Sequence, residues 1–310
     1  MNKIISIVGP TTTGKTNQAL SLAQEVLTNK EYAGVDLISV DSRQVYQGLE
    51  VLTGADIPAG FSQFHNLGEM PYFANVNNSI RLFGIAIIKP QDEWSVTHFR
   101  QFAREIIIRA FKEKRLPILV GGTGLYHKHL FSMSDDLSIK PNALVRAKEK
   151  NLTVTELQTW LKQVNQEKFL AMNQDDRNNR RRLVRAIEIA IAKTKVTAKI
   201  QESQIEAKEM DWSKVDRQVI KLAAPRAELE AKIKTRVKER FFGGAVEEVK
   251  ALLALKLDEV SPVLSTLGVP EISQYLSGQL PESQTIDLWA LHEFQYAKRQ
   301  ITWWKKEKNN

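Results

Sequence analysis

The sequence contains no cysteine, which excludes disulfide bonds, thiolate metal ligands and cysteine nucleophiles. It also lacks long hydrophobic runs: the longest, such as Ile85–Ile88 and Ile118–Val120, have the length of a strand rather than of a membrane span. The apolar N-terminal stretch leads directly into a glycine-containing loop without a cleavage site, so no signal peptide is predicted. These absences favour a cytoplasmic protein with no membrane segment.

The composition is that of an ordinary globular protein with a basic charge. The chain has 310 residues, of which 43% are hydrophobic and 26% charged, and its formal net charge is +8. This length allows one large domain, or a domain with a smaller one inserted into it. The charge fits either a basic enzyme or a protein with a polyanionic partner, and clustering of the cations favours the partner.

Short β-rich runs alternate with longer helical patterns in the first half of the chain. Strands are predicted at Lys3–Val8, Asp36–Val40, Ile85–Ile88, Pro117–Val120 and Gln218–Ala223. Helices are predicted at Thr16–Leu27, whose apolar residues share one face, and around Val96–Phe111. This order predicts an α/β fold with a mainly parallel sheet flanked by helices.

The pattern changes at about Ser132 to a polar, helical one without an obvious strand. We therefore expect a small all-helical insertion at residues 134–176, within a core formed by residues 1–133 and 177–310. From Ala227 onward the chain is helical in pattern, with breaks at Gly243-Gly244 and Pro262.

A phosphate-binding loop is the strongest local motif. Residues 9–16 match the pattern G-x-x-x-x-G-K-[ST] in full and read Gly9-Pro10-Thr11-Thr12-Thr13-Gly14-Lys15-Thr16. The motif follows a predicted strand and opens a predicted helix, so its N–H groups and the helix N-terminus face an anion. Lys15 adds a positive charge, and the Thr16 hydroxyl can ligate Mg²⁺. The motif predicts binding of a diphosphate or triphosphate but does not specify the reaction.

Polar residues follow two further predicted strands. Asp41 opens the segment Asp41–Tyr46, and because ligands bind at the carboxyl ends of parallel strands, we expect it beside the phosphate loop. There it could bind Mg²⁺ through water, accept a proton or cap a helix, while Arg43 and Gln44 suit hydrogen bonds to a base or a phosphate. The segment Gly121–Tyr126 offers glycines for close approach of a ligand and the hydroxyl of Thr123.

Two basic segments favour a polyanionic partner. Five arginines fall between residues 177 and 185, namely Arg177, Arg180, Arg181, Arg182 and Arg185. On a helix that buries Leu183, Ala186, Ile187 and Ala190, they could grip a diphosphate, follow an RNA backbone or form a solvated face. The tract Tyr296–Lys306 interleaves cations with aromatic rings, which suits RNA but equally suits a terminal helix that packs its tryptophans on the core.

Taken together, these segments resemble the tRNA dimethylallyltransferase family, also called tRNA isopentenyltransferase. The matching segments are GPTTTGKT (Gly9–Thr16), DSRQVY (Asp41–Tyr46), GGTGLY (Gly121–Tyr126), RRLVRAIE (Arg181–Glu188) and YAKRQITWW (Tyr296–Trp304). The resemblance implies a P-loop NTPase-like core whose helical insertion grips the anticodon stem-loop of tRNA. It implies transfer of the dimethylallyl group of dimethylallyl diphosphate to N6 of adenine 37, which follows the anticodon in tRNAs that read codons starting with U, with release of diphosphate.

The resemblance also implies roles for individual residues. The donor's diphosphate is expected on Gly9–Thr16, with Thr16 as a ligand of Mg²⁺, and Asp41 is expected to orient N6 and take its proton. Thr123 lies where the family places a hydroxyl near the reacting centre. Contacts with tRNA are expected from Asp41, Ser42, Arg43, Gln44, Arg181, Arg182, Leu183, Val184 and Arg185. We expect a monomer.

Three alternative functions remain open from the sequence. A small-molecule kinase or NTPase would use the same loop and Asp41 with ATP and Mg²⁺. A prenyltransferase acting on free adenine nucleotides would not need the basic C-terminal tract. A non-catalytic RNA-binding protein with a vestigial nucleotide fold is disfavoured, because Lys15, Thr16 and Asp41 are all present.

Overall fold

The computed structural model describes residues 2–55, 57–67, 70–132, 136, 139–196, 210–259 and 261–307. The chain divides into two compact units, one comprising residues 1–132 and 210–310 and the other residues 133–209. None of the helices in the described ranges is long and apolar enough to span a membrane.

The first unit is built on a seven-stranded sheet with the order β3-β4-β5-β2-β6-β1-β7. Its strands are β1 (Lys3–Val8), β2 (Gly34–Ser39), β3 (Ser62–Leu67), β4 (Met70–Ala74), β5 (Ile80–Phe83), β6 (Arg115–Val120) and β7 (Asp216–Lys221). The strands from β5 to β7 in that order run parallel, whereas β3, β4 and β5 pair antiparallel. The α/β prediction with a mainly parallel sheet is therefore confirmed.

Helices account for most of the remaining described residues. They are α1 (Lys15–Thr28), α2 (Glu50–Thr53), α3 (Val96–Lys112), α4 (Gly124–Leu130), α5 (Ala143–Glu149), α6 (Val154–Val164), α7 (Gln166–Ala171), α8 (Gln174–Arg177), α9 (Arg180–Val196), α10 (Arg226–Arg240), α11 (Val246–Ala254), α12 (Val269–Leu276) and α13 (Glu282–Lys306).

Apolar side chains are buried on both faces of the sheet because successive side chains of a strand point to opposite sides. Ile4 and Leu119 pack in a core that includes residues of α3 and α4. Their neighbours Ile5 and Ile118 pack in a second core that includes residues of α1. This burial on both faces explains why the central strands read as nearly continuous apolar runs.

A third core joins the C-terminal helices to the short helix α2. On α10, Leu229, Ile233 and Val237 recur every four residues and are almost fully buried, and they pack in one cluster with Trp289 of α13. A π-helical turn at Phe241–Ala245 separates α10 from α11. Packing in this core holds α10 and α13 next to the loops that follow the strands.

The second unit contains helices α5 to α9 and has its own hydrophobic core. Leu157 and Leu161 of α6 pack with Leu183 and Ile187 of α9, and all four are fully buried. The compact unit therefore extends to residue 209, whereas the sequence suggested a boundary at residue 176. The difference arises because the apolar stripe of α9 is part of the core of the helical unit.

Most predicted strands and helices are present, with one misplaced strand and one missed hairpin. The predicted strand Ile85–Ile88 is wrong: the chain turns there, with φ of 86° at Gly84 and 50° at Ala86. The N–H groups of Ala86 and Ile87 bond to the carbonyl groups of Gln44 and Val45, and the true strand, β5, ends at Phe83. The hairpin of β3 and β4 was not predicted.

Candidate active site

A cleft of about 1070 Å³ opens at the carboxyl ends of the central parallel strands. It is lined by the loop between β1 and α1, the segments that follow β2 and β6, helix α2, and one face each of α10 and α13. Ligands of open α/β sheets bind at this edge. The cleft lies entirely within the first unit.

The phosphate loop has the curled backbone that binds anions. Thr12 and Gly14 adopt left-handed conformations with φ of 63° and 75°. A Cβ atom at Gly9 would lie 2.5 Å from the Leu222 carbonyl oxygen, so this position requires glycine. Helix α1 starts immediately after Gly14 and has no acidic residue in its first turn. Its free N–H groups and dipole therefore favour an anion at this end of the cleft.

The predicted diphosphate residues divide into two groups. Those that line the cleft are Thr11, Thr12, Gly14, Lys15 and Thr16. Gly9, Pro10 and Thr13 lie outside the lining and shape the loop: the Pro10 carbonyl oxygen accepts hydrogen bonds from Lys15 Nζ at 2.7 Å and from Thr13 Oγ1 at 2.9 Å. The structure thus brings five of the eight predicted residues, including Lys15 and Thr16, to the wall of the cleft.

Asp41 lines the cleft at the end of β2 and is partly buried. Its Oδ1 accepts hydrogen bonds from the N–H groups of Arg43, at 2.8 Å, and Gln44, at 3.4 Å. These bonds close a turn that fixes the orientation of the carboxylate. No hydrogen bond to Oδ2 is recorded from the described residues, so this oxygen is available to a ligand.

Thr123 follows β6, and its hydroxyl is buried near Tyr296 of α13. Within the described part of the chain, Thr123 Oγ1 has no hydrogen bond of ordinary geometry, and the residue is not part of the cleft lining. Burial and, to a smaller extent, the negative charge of Asp41 raise the pKa of Tyr296 to about 12, although the Thr123 hydroxyl acts in the opposite direction. Thr123, Tyr296 and Asp41 therefore lie close together, and Tyr296 stays neutral.

The other residues of the segment after β2 are engaged within the protein. Arg43 donates to the carbonyl oxygen of Pro262 and, at 2.9 Å, to Ser265 Oγ. Gln44 accepts from Ser39 Oγ and donates to the Gly54 carbonyl oxygen, both at 2.8 Å. Ser42 lines the cleft beside them. Arg43 and Gln44 thus hold the walls of the cleft in this structure.

The arginine-rich segment lies in the second unit, where several of its side chains support the fold. Arg185 donates to the carbonyl oxygens of Asp136 and Ile139 at 2.9 and 2.7 Å and pairs with buried Glu188. Leu183 and Val184 are buried in the core of the unit, and their contact with tRNA stays a prediction.

Two arginines of this segment remain accessible. Arg181 is exposed, and no hydrogen bond or ion pair is recorded for its side chain among the described residues. Arg182 pairs with Asp176 but keeps 61% of its side chain exposed. The other three arginines of the segment are only partly exposed.

Several residues of the cleft were not singled out from the sequence. Arg236 of α10 donates to Thr11 Oγ1 at 2.8 Å and to the Gly54 carbonyl oxygen at 3.2 Å. Gln300 of α13 accepts a hydrogen bond from the Thr11 N–H at 3.0 Å. Gln300 lies within the YAKRQITWW segment, which was considered for RNA, whereas no sequence signal marks Arg236 among the many charges of α10.

The aromatic residues at the end of α13 pack on the segment that follows β6. Trp304 Nε1 donates to the Gly122 carbonyl oxygen at 3.4 Å, and its ring makes an edge contact with His127. The indole of Trp303 occupies the space that a Cβ atom at Gly124 would need. The structure therefore favours the packing role of these tryptophans over stacking on RNA bases.

Comparison with known proteins matches nearly the whole chain to one family of transferases. A family model described as IPP transferase matches residues 73–307, and one described as isopentenyl transferase matches residues 2–66. A tRNA dimethylallyltransferase from Rhizobium meliloti (strain 1021) is 32% identical over 303 residues, which cover 98% of this chain and 91% of that protein.

Two solved structures share the fold. A full-length tRNA isopentenylpyrophosphate transferase from Bacillus halodurans is similar with a TM-score of 0.63 at 26% identity, covering 100% of this chain and 88% of that one. A eukaryotic dimethylallyltransferase acting on tRNA has a TM-score of 0.72 at 22% identity, covering 98% of this chain and 70% of that one.

Proposed function

The chain belongs to the tRNA dimethylallyltransferase family, and we propose that its cleft transfers the dimethylallyl group of dimethylallyl diphosphate to N6 of adenine 37 in tRNA. One observation carries this proposal: the phosphate loop and Asp41 line the same cleft. The loop supplies a site for a diphosphate leaving group, and the carboxylate supplies a proton acceptor for the nucleophile. In the reaction the diphosphate leaves the same allylic carbon atom that N6 attacks, so the phosphate loop and the proton acceptor must lie close to each other.

The phosphate loop and two cations would stabilise the leaving group. The diphosphate is expected at the N-terminus of α1, with Lys15 and Arg236 as the nearby positive charges. When the bond between the allylic carbon and oxygen breaks, its electron pair remains on the diphosphate. Donors that already point at this oxygen stabilise the new charge without reorganising. The loop thus holds a group that departs, whereas a kinase would hold a phosphoryl group that it transfers.

The residues around Thr16 fit a magnesium ion. Mg²⁺ prefers oxygen ligands and commonly takes one or two from the protein, with the others from phosphates and water. The Thr16 hydroxyl and the carboxylate of Asp41, the latter through water, provide such oxygens, and no group of three or more metal-binding side chains occurs in the described ranges. When bound, the ion would neutralise charge on the diphosphate. Thr16 would hold it in place.

Asp41 would act on the acceptor. The lone pair of adenine N6 is delocalised into the ring, so attack on carbon requires loss of a proton from N6. Oδ1 of Asp41 is held by the turn, which leaves Oδ2 to take this proton. The adenine must leave the stacked anticodon loop to reach the cleft, at a cost of roughly a few kcal/mol. Tyr296, which lines the cleft, would help position the reacting groups, whereas Thr123 lies outside the lining and would act on them through Tyr296.

The helical unit would supply phosphate contacts to the anticodon stem-loop. Arg181 and Arg182 are its exposed guanidinium groups in the arginine-rich segment, and such groups bind phosphate oxygens with paired hydrogen bonds. A monomer as the active species stays a prediction. Its tRNA substrate supports activity in the cytoplasm.

A transfer assay tests the proposal directly. Radiolabelled dimethylallyl diphosphate and Mg²⁺ would be incubated with a tRNA whose anticodon is followed by adenine, and with the same tRNA carrying a different base at that position. We expect label only in the first tRNA. Label in free AMP would instead indicate a nucleotide prenyltransferase, and consumption of ATP without labelled tRNA would indicate a kinase or NTPase.

A further inference from the structure

The carbonyl oxygen of Gly54, at the end of α2, accepts hydrogen bonds from two sides of the cleft. Gln44 Nε2 donates to it at 2.8 Å from the segment that follows β2, and Arg236 Nη2 donates to it at 3.2 Å from α10. Gly54 is buried, and all three residues line the cleft. This oxygen therefore joins the segment that begins with Asp41 to the helix that reaches the phosphate loop.

Arg236 extends the network to the phosphate loop. Its Nη1 donates to Thr11 Oγ1 at 2.8 Å, so the guanidinium group bridges Thr11 and Gly54. The Thr11 N–H in turn donates to Gln300 Oε1 at 3.0 Å. Because the guanidinium group is planar and is bonded through both of its terminal nitrogens, these two bonds together define where its positive charge lies.

Both polar atoms of the Gln44 side chain are engaged within the protein. Oε1 accepts from Ser39 Oγ at 2.8 Å, and Nε2 donates to the Gly54 carbonyl oxygen. Ser39 is buried and is the last residue of β2, so the sheet orients this amide toward Gly54. The bond from Gln44 to Asp41 Oδ1 comes from the backbone N–H, and a change of the side chain leaves that N–H in place.

The peptide group between Gly54 and Ala55 is held on both sides. Gly54 adopts a left-handed conformation with φ of 58°, and glycine is the residue whose backbone has the most freedom to move. The Ala55 N–H donates to the Glu50 carbonyl oxygen at 2.9 Å, while Gln44 holds the oxygen of the same peptide group. The acceptor for Arg236 is thus fixed before any ligand binds.

The charges that meet at Gly54 make this acceptor important. The guanidinium groups of Arg236 and Arg240 both occupy the space that a Cβ atom at Gly54 would need, and like charges at such short range repel each other. Each has its own carbonyl acceptor: Arg240 Nη2 donates to the Thr53 oxygen at 3.4 Å, and Arg236 Nη2 to that of Gly54. The bond to Gly54 therefore opposes a repulsion that would move Arg236 away from Thr11.

We propose that Gln44 is a positioning residue for the donor: it holds the Gly54 carbonyl group so that Arg236 stays against the phosphate loop, where its charge meets the diphosphate. A positive charge that is already in place stabilises a leaving group without reorganisation, whereas a mobile arginine loses conformational entropy when the ligand binds. The side chain of Gln44 thus serves the diphosphate and not the tRNA. This inference rests on the proposed function of the cleft.

Binding of inorganic diphosphate tests the inference without the transfer reaction. Gln44→Met keeps the length of the side chain and removes both of its polar atoms. We expect the dissociation constant for diphosphate in the presence of Mg²⁺, measured by titration calorimetry, to rise about threefold to tenfold, as for the loss of one hydrogen bond. Filter binding should give the wild-type dissociation constant for tRNA.

Two further variants accompany this measurement. Gln274→Met is the matched control, because this partly buried amide also donates to a backbone carbonyl oxygen, that of Pro270 at 3.3 Å, outside the cleft lining. It should leave both dissociation constants unchanged. Gln44→Glu keeps the size of the side chain and an acceptor for Ser39, but its carboxylate cannot donate to Gly54 and attracts Arg236, so diphosphate should bind at least as weakly as in Gln44→Met.

A double variant shows whether Gln44 acts through Arg236. In the Arg236→Ala background, Gln44→Met should cause no further loss of diphosphate binding, since the residue that it positions is gone. Additive losses would overturn the inference, as would wild-type diphosphate affinity in Gln44→Met or a loss confined to tRNA binding. Each of these results leaves the proposed function intact, which fails only if the wild-type chain transfers no label to tRNA.

Discussion

The Asp41→Asn substitution separates the turn that this carboxylate closes from the proton transfer proposed for it. The amide oxygen of asparagine can accept the same hydrogen bonds from Arg43 and Gln44 that close the turn, so the loop should keep its shape. The side-chain amide cannot take a proton from N6. Loss of a general base typically lowers the rate by about 10² to 10⁴, or about 3 to 5 kcal/mol in the activation barrier.

Rate and binding would be measured separately for this variant. Single-turnover transfer of labelled donor reports the chemical step, and filter binding reports the dissociation constant for tRNA, which should change by less than about threefold because the turn is retained. Asp211→Asn is a matched control, since Asp211 Oδ1 likewise closes a turn, with Ser213, outside the cleft. A variant that keeps a tenth of the rate, or that loses rate and binding equally, would refute a base role for Asp41.

Four further substitutions address the leaving group, the RNA and the fold. Arg236→Ala should lower kcat/KM for the donor about tenfold to a hundredfold in steady-state assays, because a charge-assisted bond contributes roughly 1.5 to 3 kcal/mol. Arg181→Ala should weaken tRNA binding and reduce the salt dependence of the binding constant by about one phosphate contact, whereas Arg185→Ala should instead lower the free energy of unfolding in urea. Burial lowers the pKa of His127 from 6.5 to about 4, so the unfolded chain binds the extra proton between these values. Stability should be complete above about pH 6.5 and fall by about 2 kcal/mol between pH 7 and pH 5, and His127→Phe should remove this dependence.

The phosphate loop and Asp41 could be predicted from the sequence because their signals are local. The eight residues of the loop are enough to specify its backbone conformation. A carboxylate that directly follows a parallel strand must lie at the carboxyl edge of the sheet, where ligands bind. The misplaced strand shows where local reasoning fails. Ile85–Ile88 is as apolar as a buried strand, but Gly84 and Ala86 turn the backbone, so the segment forms an isolated β-bridge between Ile88 and Tyr46 instead of a strand.

The arginine-rich segment shows a second limit of the sequence. Its spacing correctly predicts a helix that buries Leu183 and Ile187, but spacing does not say what a guanidinium meets at the edge of that face. Arg185 reaches carbonyl oxygens 46 and 49 residues away, whereas Arg181 is exposed to solvent. Whether an arginine of this segment is bonded within the unit or exposed to solvent therefore depends on contacts with residues far away in the sequence.

The donor site is completed by residues from the far end of the chain. Thr11 of the phosphate loop is held at its N–H by Gln300, 289 residues away, and at its hydroxyl by Arg236, 225 residues away. Neither contact leaves a pattern in a linear sequence, because each depends on how α10 and α13 pack in the third core. The tryptophans that end α13 secure that packing against Gly122 and Gly124. The tract Tyr296–Trp304, which was considered for RNA, thus packs against both glycine-containing loops of the cleft.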